Sequence, residues 1–328
     1  MPEIIDATSH IITEDTIDAL EAVHPTEELA SLRNAPRMSA EADRVDYLDR
    51  HGIDRQVINL AAPMIWNGAD PADVIDVARL ANDEVRRVAD EHGRFIPTGT
   101  LPFLTGEYVD EARRCVEDLD MSGLQIFSNI EGKPLDHADF APFWATVDDL
   151  DVPVWIHPQL HRWHDWDAGE TWIYKMLGWP FDTTVAVARL IFFGVLEANP
   201  NVELVTHHLG GNLPYVVGRL KSWYRTRREE PELYDNPRMA DLSEPLEAYF
   251  DRVYGDTAVS GEGETYPLRC GYEFFGADNM VYSADYPFGP DAGEYWAEVI
   301  IPAIESMDIP EADKERIFAG TVRELLDR

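Results

Sequence analysis

Eight short apolar segments separated by helix-like stretches constrain the fold of this chain more than any other feature. The segments lie at residues 4–5, 56–60, 95–101, 123–127, 152–156, 202–205, 253–255 and 280–283. Amphipathic patterns occupy 71–92, 106–119, 138–150, 183–199 and 292–307 between or after them. Pro71 after Asp70 suits a helix start, and Gly93 after His92 suits a helix stop. Alternation of this kind calls for parallel strands joined by crossover helices, and eight strands close a (β/α)8 barrel. An open doubly wound sheet meets the same alternation, but gives no reason for reactive side chains to follow strands 1, 5, 6 and 8. The expected fold class is therefore α/β, a TIM barrel formed as one domain over residues 1–328.

Those strand ends carry the chemistry. Residues 4–10 end in His10, with Asp6 and Thr8 four and two places before it and expected on the same side by alternation. Residues 152–156 lead into His157 and Pro158, 202–205 into His207 and His208, and 280–283 into Asp285. In a barrel these ends meet at one mouth, where catalytic groups sit. Imidazole is the commonest ligand for zinc-like metals, and a carboxylate beside a metal can bind it or take a proton. Gly210 and Gly211 let backbone approach the site behind His208, which suits an acid/base more than a ligand. His207, one place earlier, is expected to point the other way and pack outside the mouth.

Two stretches exceed what barrel loops need: 13–42 after strand 1 and 159–182 after strand 5. The second holds His161, Trp163, His164, Trp166, Trp172, Tyr174, Trp179 and Phe181. Such a loop suits a substrate lid, a dimer contact, or both. Gly261 to Thr265 reads as an acidic turn without a role.

The formal net charge is −35, and the only lysines are Lys133, Lys175, Lys221 and Lys314. That field repels nucleic acid and anionic membranes. Its even spread fits a protein adapted to molar salt, where charges are screened within about 3 Å. No stretch has the length of a membrane span. Two cysteines, Cys115 and Cys270, make no framework and suit a reduced cytoplasmic setting.

Taken in order, these segments resemble the amidohydrolase superfamily, in the branch of aminocarboxymuconate-semialdehyde decarboxylase and related aromatic-acid decarboxylases. The resemblance runs along nearly the whole chain. Its more specific parts are 152–158, 194–200, 208–219 and 283–288, with weaker matches at 52–57, 94–97, 101–102 and 123–126. It implies one divalent metal ion, zinc with manganese as the alternative. The ligands would come from a His-x-His pair after strand 1, a His after strand 5 and an Asp after strand 8. Here these are Thr8 and His10, His157, and Asp285. The resemblance makes His208 the acid/base, and it makes Arg219 the residue that reaches a carboxylate in the neighbouring subunit's site, which implies a homodimer. Thr8 departs from the pattern, because a neutral hydroxyl is a poor ligand beside imidazole or carboxylate. Three protein ligands can still hold a catalytic metal.

The expected activity is metal-dependent, non-oxidative decarboxylation of a small unsaturated or aromatic carboxylic acid. His208 and Asp285 would move the proton, Arg219 would hold a carboxylate, and Trp179 or Trp172 would cover the ring. Hydrolysis of a lactone or amide on the same scaffold is the alternative among enzymes. A metal-free barrel acting as a binding or assembly subunit, with Thr8 as the scar, is the alternative outside them.

Overall fold

The computed structural model describes residues 2–60, 63–159, 173–234, 236–259 and 264–327. Its barrel strands are β1 (Ile5–Ile11), β2 (Arg55–Leu60), β3 (Phe95–Pro97, resumed at Gly99–Thr100), β4 (Leu124–Phe127), β5 (Val154–His157), β6 (Leu204–Thr206), β7 (Val253–Asp256) and β8 (Met280–Val281). Each pairs in parallel with the next. The interruption in β3 falls at Thr98, whose N–H donates to the Ile58 carbonyl at 3.0 Å. The ring closes where Ala7 N–H donates to Tyr282 O and His10 N–H to Tyr286 O, both at 2.8 Å.

The crossover helices are α1 (Glu41–His51), α2 (Pro71–His92), α3 (Glu107–Arg113), α4 (Ala141–Leu150), α5 (Trp179–Phe192), α6 (Leu213–Glu229), α7 (Tyr266–Phe275) and α8 (Glu294–Glu305). Helix α2 shows how local sequence sets the limits. The Asp70 side chain accepts from Ala72 N–H at 3.0 Å, Pro71 fills the first position, and Gly93 at φ +63 ends the helix. The stretch expected as one helix over 183–199 is instead two, α5 and Val195–Ala198, broken at Gly194. Gly194 takes φ +82, in the left-handed region that ends a helix.

Strand alternation divides the core into two layers. Ile5, Ala7, Val57, Ile96, Trp155, Val205, Tyr254 and Val281 fill the barrel interior, joined by Val322 and Leu325 of the C-terminal helix Thr321–Leu326. The intervening residues, such as Ile58, Ile126, Ile156 and Leu204, belong to the layer shared with the helices. Trp155 ties the interior together by donating its indole N–H to Ala7 O at 2.9 Å.

The long stretch after β1 is not an open loop. It forms two helices, Glu14–Val23 and Glu27–Arg33, capped by Thr13 and Thr26. Of the stretch after β5, residues 160–172 lie outside the described residues, and with them His161, Trp163, His164, Trp166 and Trp172. Residues 261–263 of the acidic turn also lie outside. The described remainder after β5 is a π-helical turn, Tyr174–Gly178, running into α5 at Trp179. Among the described residues no helix is long and apolar enough to cross a membrane.

Candidate active site

The mouth of the barrel gathers four imidazoles and a carboxylate. A bulge in β1 prepares it. Asp6 pairs with Gln56 and Ser9 with Ile58, so Ala7 and Thr8 together stand opposite Val57. Ser9 turns outward, bonding Val57 O at 2.7 Å and Arg44 Nη1 at 3.1 Å. Alternation then places Thr8 and His10 on the inner face. Asp6 falls on the far side of the bulge, which corrects the expectation that it shares their face. Its carboxylate accepts from Gln56 Nε2 at 2.9 Å and from the N–H groups of Thr8 and Ala284. Burial raises its pKa to about 7 against those hydrogen bonds.

His10 is fully buried. Its Nδ1 lies 2.8 Å from Asn59 Oδ1 and its Nε2 lies 3.1 Å from Asp285 Oδ1. His157 ends β5, with Nδ1 bonded to Pro158 O at 2.7 Å. Burial, then the neighbouring His10, lowers its pKa to about 3, so it stays neutral, as a metal ligand must.

His207 is not outside the mouth. Its ring centroid lies 4.7 Å from that of His157 and 5.5 Å from that of His10, and the residue is fully buried. The parity of β6 explains the correction: Val205 faces the interior, so His207, still extended at φ −66, ψ 154, faces it too. His208 reaches the site by a different route. The chain turns into the left-handed region at His208 (φ 54) and Leu209 (φ 56), ending the alternation. The expectation failed because it counted both histidines along one strand. Val205 two places before His207, matching Trp155 two places before His157, was the signal.

Asp285, also left-handed at φ 53, joins the two groups. Its Oδ1 meets His10, and its Oδ2 lies 3.8 Å from His208 Nε2. Burial would raise its pKa, but His10 and His208 outweigh burial and hold it far below the carboxylate range. Burial would likewise lower the His208 pKa, and contact with Asp285 overcomes this and raises it. Asp285 is thus ionised, and His208 is inclined to carry a proton. Trp179 stacks along His208 at 6.4 Å between centroids and meets the edge of His157 at 5.4 Å. A cleft of about 510 Å³ opens here, lined by Lys175, Pro180, His208, Asn212, Asp285 and Trp296 among others. Arg219 does not line it. It is exposed on α6, in one stripe with Tyr215 and Trp223.

The residues present fit a metal. One nitrogen from each of His10, His157 and His207 lies within 4.8 Å of the other two. Neither ring nitrogen of buried His207 has a hydrogen-bond partner, and buried Thr8 Oγ1 has none. Sequence reasoning also missed Asn59 and Asp256, polar residues at or near the ends of β2 and β7. Asn59 orients His10, while Asp256 Oδ1 accepts from His208 N–H at 2.8 Å.

Comparison with known proteins gives one consistent answer. The family profile described as Amidohydrolase matches residues 5–328. A 2-amino-3-carboxymuconate-6-semialdehyde decarboxylase of Dictyostelium discoideum is 29% identical over 287 residues, covering 86% of this chain and 75% of that protein. A gamma-resorcylate decarboxylase of Polaromonas sp. is 29% identical over 336 residues, covering 96% of each. The crystal structure of a dihydroxybenzoic acid decarboxylase from Polaromonas sp., with bound manganese and the inhibitor 2-nitroresorcinol, superposes with a TM-score of 0.77. It is 26% identical and covers 100% of this chain and 97% of that one.

Proposed function

Because the chain belongs to the amidohydrolase family, we propose that it is a metal-dependent decarboxylase of a small aromatic carboxylic acid. The observation that carries this reading is Asp285, whose two oxygens meet His10 on one side and the acid/base candidate His208 on the other. The relatives reported above are decarboxylases by name, and one binds manganese.

A divalent ion, zinc or manganese, would be held by His10, His157 and Asp285 and would supply Lewis acidity toward a substrate oxygen. His208 and Asp285 handle the proton. With its pKa raised, His208 presents Nε2–H to the ring carbon that bears the carboxylate. As that carbon takes the proton, the bond to the carboxylate breaks. Its electron pair returns to the ring, and carbon dioxide leaves. Asp285 stabilises the protonated imidazole before transfer and helps it regain a proton from solvent. Trp179, stacked on His208, offers an aromatic wall to the substrate ring. Lys175, on the rim of the cleft, supplies positive charge near a substrate carboxylate. Arg219 would serve the site of a second copy. Tyr215 is 86% exposed and Trp223 47%, a stripe suited to burial in a homodimer. The acidic surface is read as adaptation to high salt.

The test is incubation of the manganese-loaded protein with 2,6-dihydroxybenzoate and 5-carboxyvanillate, following carbon dioxide and ring products. Carbon dioxide released with the decarboxylated ring supports the proposal. Turnover of lactones or amides with no carbon lost would replace it with a hydrolase. No ion bound and no turnover of either class would leave a binding barrel.

A further inference from the structure

We propose that His207 is a metal ligand, taking the coordination place for which Thr8 has no donor. The inference rests on the metal-dependent reading above, and adds to it a ligand that the resemblance does not assign.

The ligand pattern carried over from the family leaves one position without a usable donor. Thr8 offers a neutral hydroxyl, and that oxygen is buried without a hydrogen bond. His207 presents the opposite anomaly, a strong donor set with no partner. The residue is fully buried, and neither Nδ1 nor Nε2 has a hydrogen-bond partner. Leaving a buried polar group unsatisfied destabilises the fold, and an ion at this ring removes that cost.

The rings around the site share one arrangement. His10 Nδ1 is held by Asn59 Oδ1 at 2.8 Å, and His157 Nδ1 by Pro158 O at 2.7 Å. His207 Nδ1 faces Asp256 Oδ2 at 3.9 Å. In each ring an oxygen lies on the Nδ1 side, so Nε2 is the nitrogen that would meet the ion; in His10 it stands 3.1 Å from Asp285 Oδ1. Oxygen partners of this kind fix the tautomer and aim of metal-binding histidines. Asp256 is itself anchored, since its Oδ1 accepts from His208 N–H at 2.8 Å and Ala258 N–H at 3.1 Å. One carboxylate therefore stands on the Nδ1 side of His207, beyond hydrogen-bond distance, and holds the backbone of His208, which keeps the ligand and the acid/base as separate residues. The resulting set is His10, His157 and His207, with Asp285 beside His10. Imidazole from strand 6 replaces a donor from strand 1.

The test uses the purified full chain with Mn²⁺ or Zn²⁺ alone. His207→Ala should weaken Mn²⁺ binding by more than about 100-fold, beyond the roughly 10–100-fold that loss of an outer partner costs. Asp256→Asn should fall within that smaller range. Adding Thr8→Glu to His207→Ala should restore most of the affinity, which shows that the single variant folds. X-ray absorption of the Zn²⁺-loaded unmutated protein reads the same question without substitution, and should count three imidazoles. Two imidazoles, or unchanged Mn²⁺ affinity in His207→Ala, overturns the role of His207 while the metal-dependent reading stands. An unmutated chain that takes up neither ion overturns both.

Discussion

Replacing Gly211 by alanine should disable the enzyme without touching a reacting group. Gly211 has φ +66 and ψ −119, a conformation closed to residues with a Cβ. A Cβ there would lie 2.0 Å from Pro180 O, 2.8 Å from Pro180 C and 2.9 Å from Thr184 Oγ1. Backbone strain of this kind costs about 1–3 kcal/mol, and overpacking a fixed backbone costs about 1–3 more, roughly 2–6 kcal/mol together. The cost falls on a joint of the site. Thr184 Oγ1 donates to Pro180 O at 2.7 Å and accepts from Asn212 N–H at 2.8 Å, tying the first turn of α5, with Trp179, to the loop that carries His208. Gly68→Ala is the control. It also has positive φ (+78), but nothing lies within 4 Å of its Cβ, so only the strain remains. Thermal unfolding of both variants should place Gly211→Ala several degrees below Gly68→Ala. Turnover should fall only in the former, while Mn²⁺ content is kept. Equal melting temperatures in the two variants would falsify the steric argument.

Other substitutions probe separate parts of the protein. Glu294 is held by Arg37, Arg50 and His51; burial would raise its pKa, but these partners lower it to about 2. A depressed carboxylate contributes stability above its unfolded pKa of 4.5 and loses it as pH falls toward 2. Glu294→Gln should therefore cost at most about 3 kcal/mol at neutral pH, trimmed by screening around the half-exposed Arg50, and approach the parent as pH falls from 4.5 toward 2. A constant difference from pH 7 to pH 2.5 would refute this. Arg219→Ala should abolish decarboxylation while leaving Mn²⁺ binding intact. Mixed and allowed to exchange subunits with inactive Asp285→Asn, it should regain part of the activity if Arg219 serves the partner's site; no recovery would confine its role to its own chain or to none. Trp179→Ala should raise KM for aromatic acids and lower kcat, because the same ring packs on His208 and His157. An unchanged KM would remove Trp179 from the substrate site.

The order of strands and helices, the barrel, and the convergence of His10, His157, His208 and Asp285 could be read along the chain. These depend on local pattern: alternation fixes which strand face is apolar, and Asp70, Pro71 and Gly93 mark helix limits wherever they stand. The relation of neighbouring residues at the mouth could not be read that way. Ala7 and Thr8 share one partner residue because closure of β1 against both β2 and the 280–286 segment demands a bulge. His207 and His208 both reach the site because the extended backbone after β6 ends between them in a left-handed turn, held by Asp256 from the next strand. Arg219 leaves its own site because α6 carries it on the outer face of the barrel. The sequence alone determined which side chains arrive at the mouth from the strand ends it marked. Only the tertiary structure decided which way His207 faces, since bulges and turns that break a period of two are imposed by contacts from distant strands.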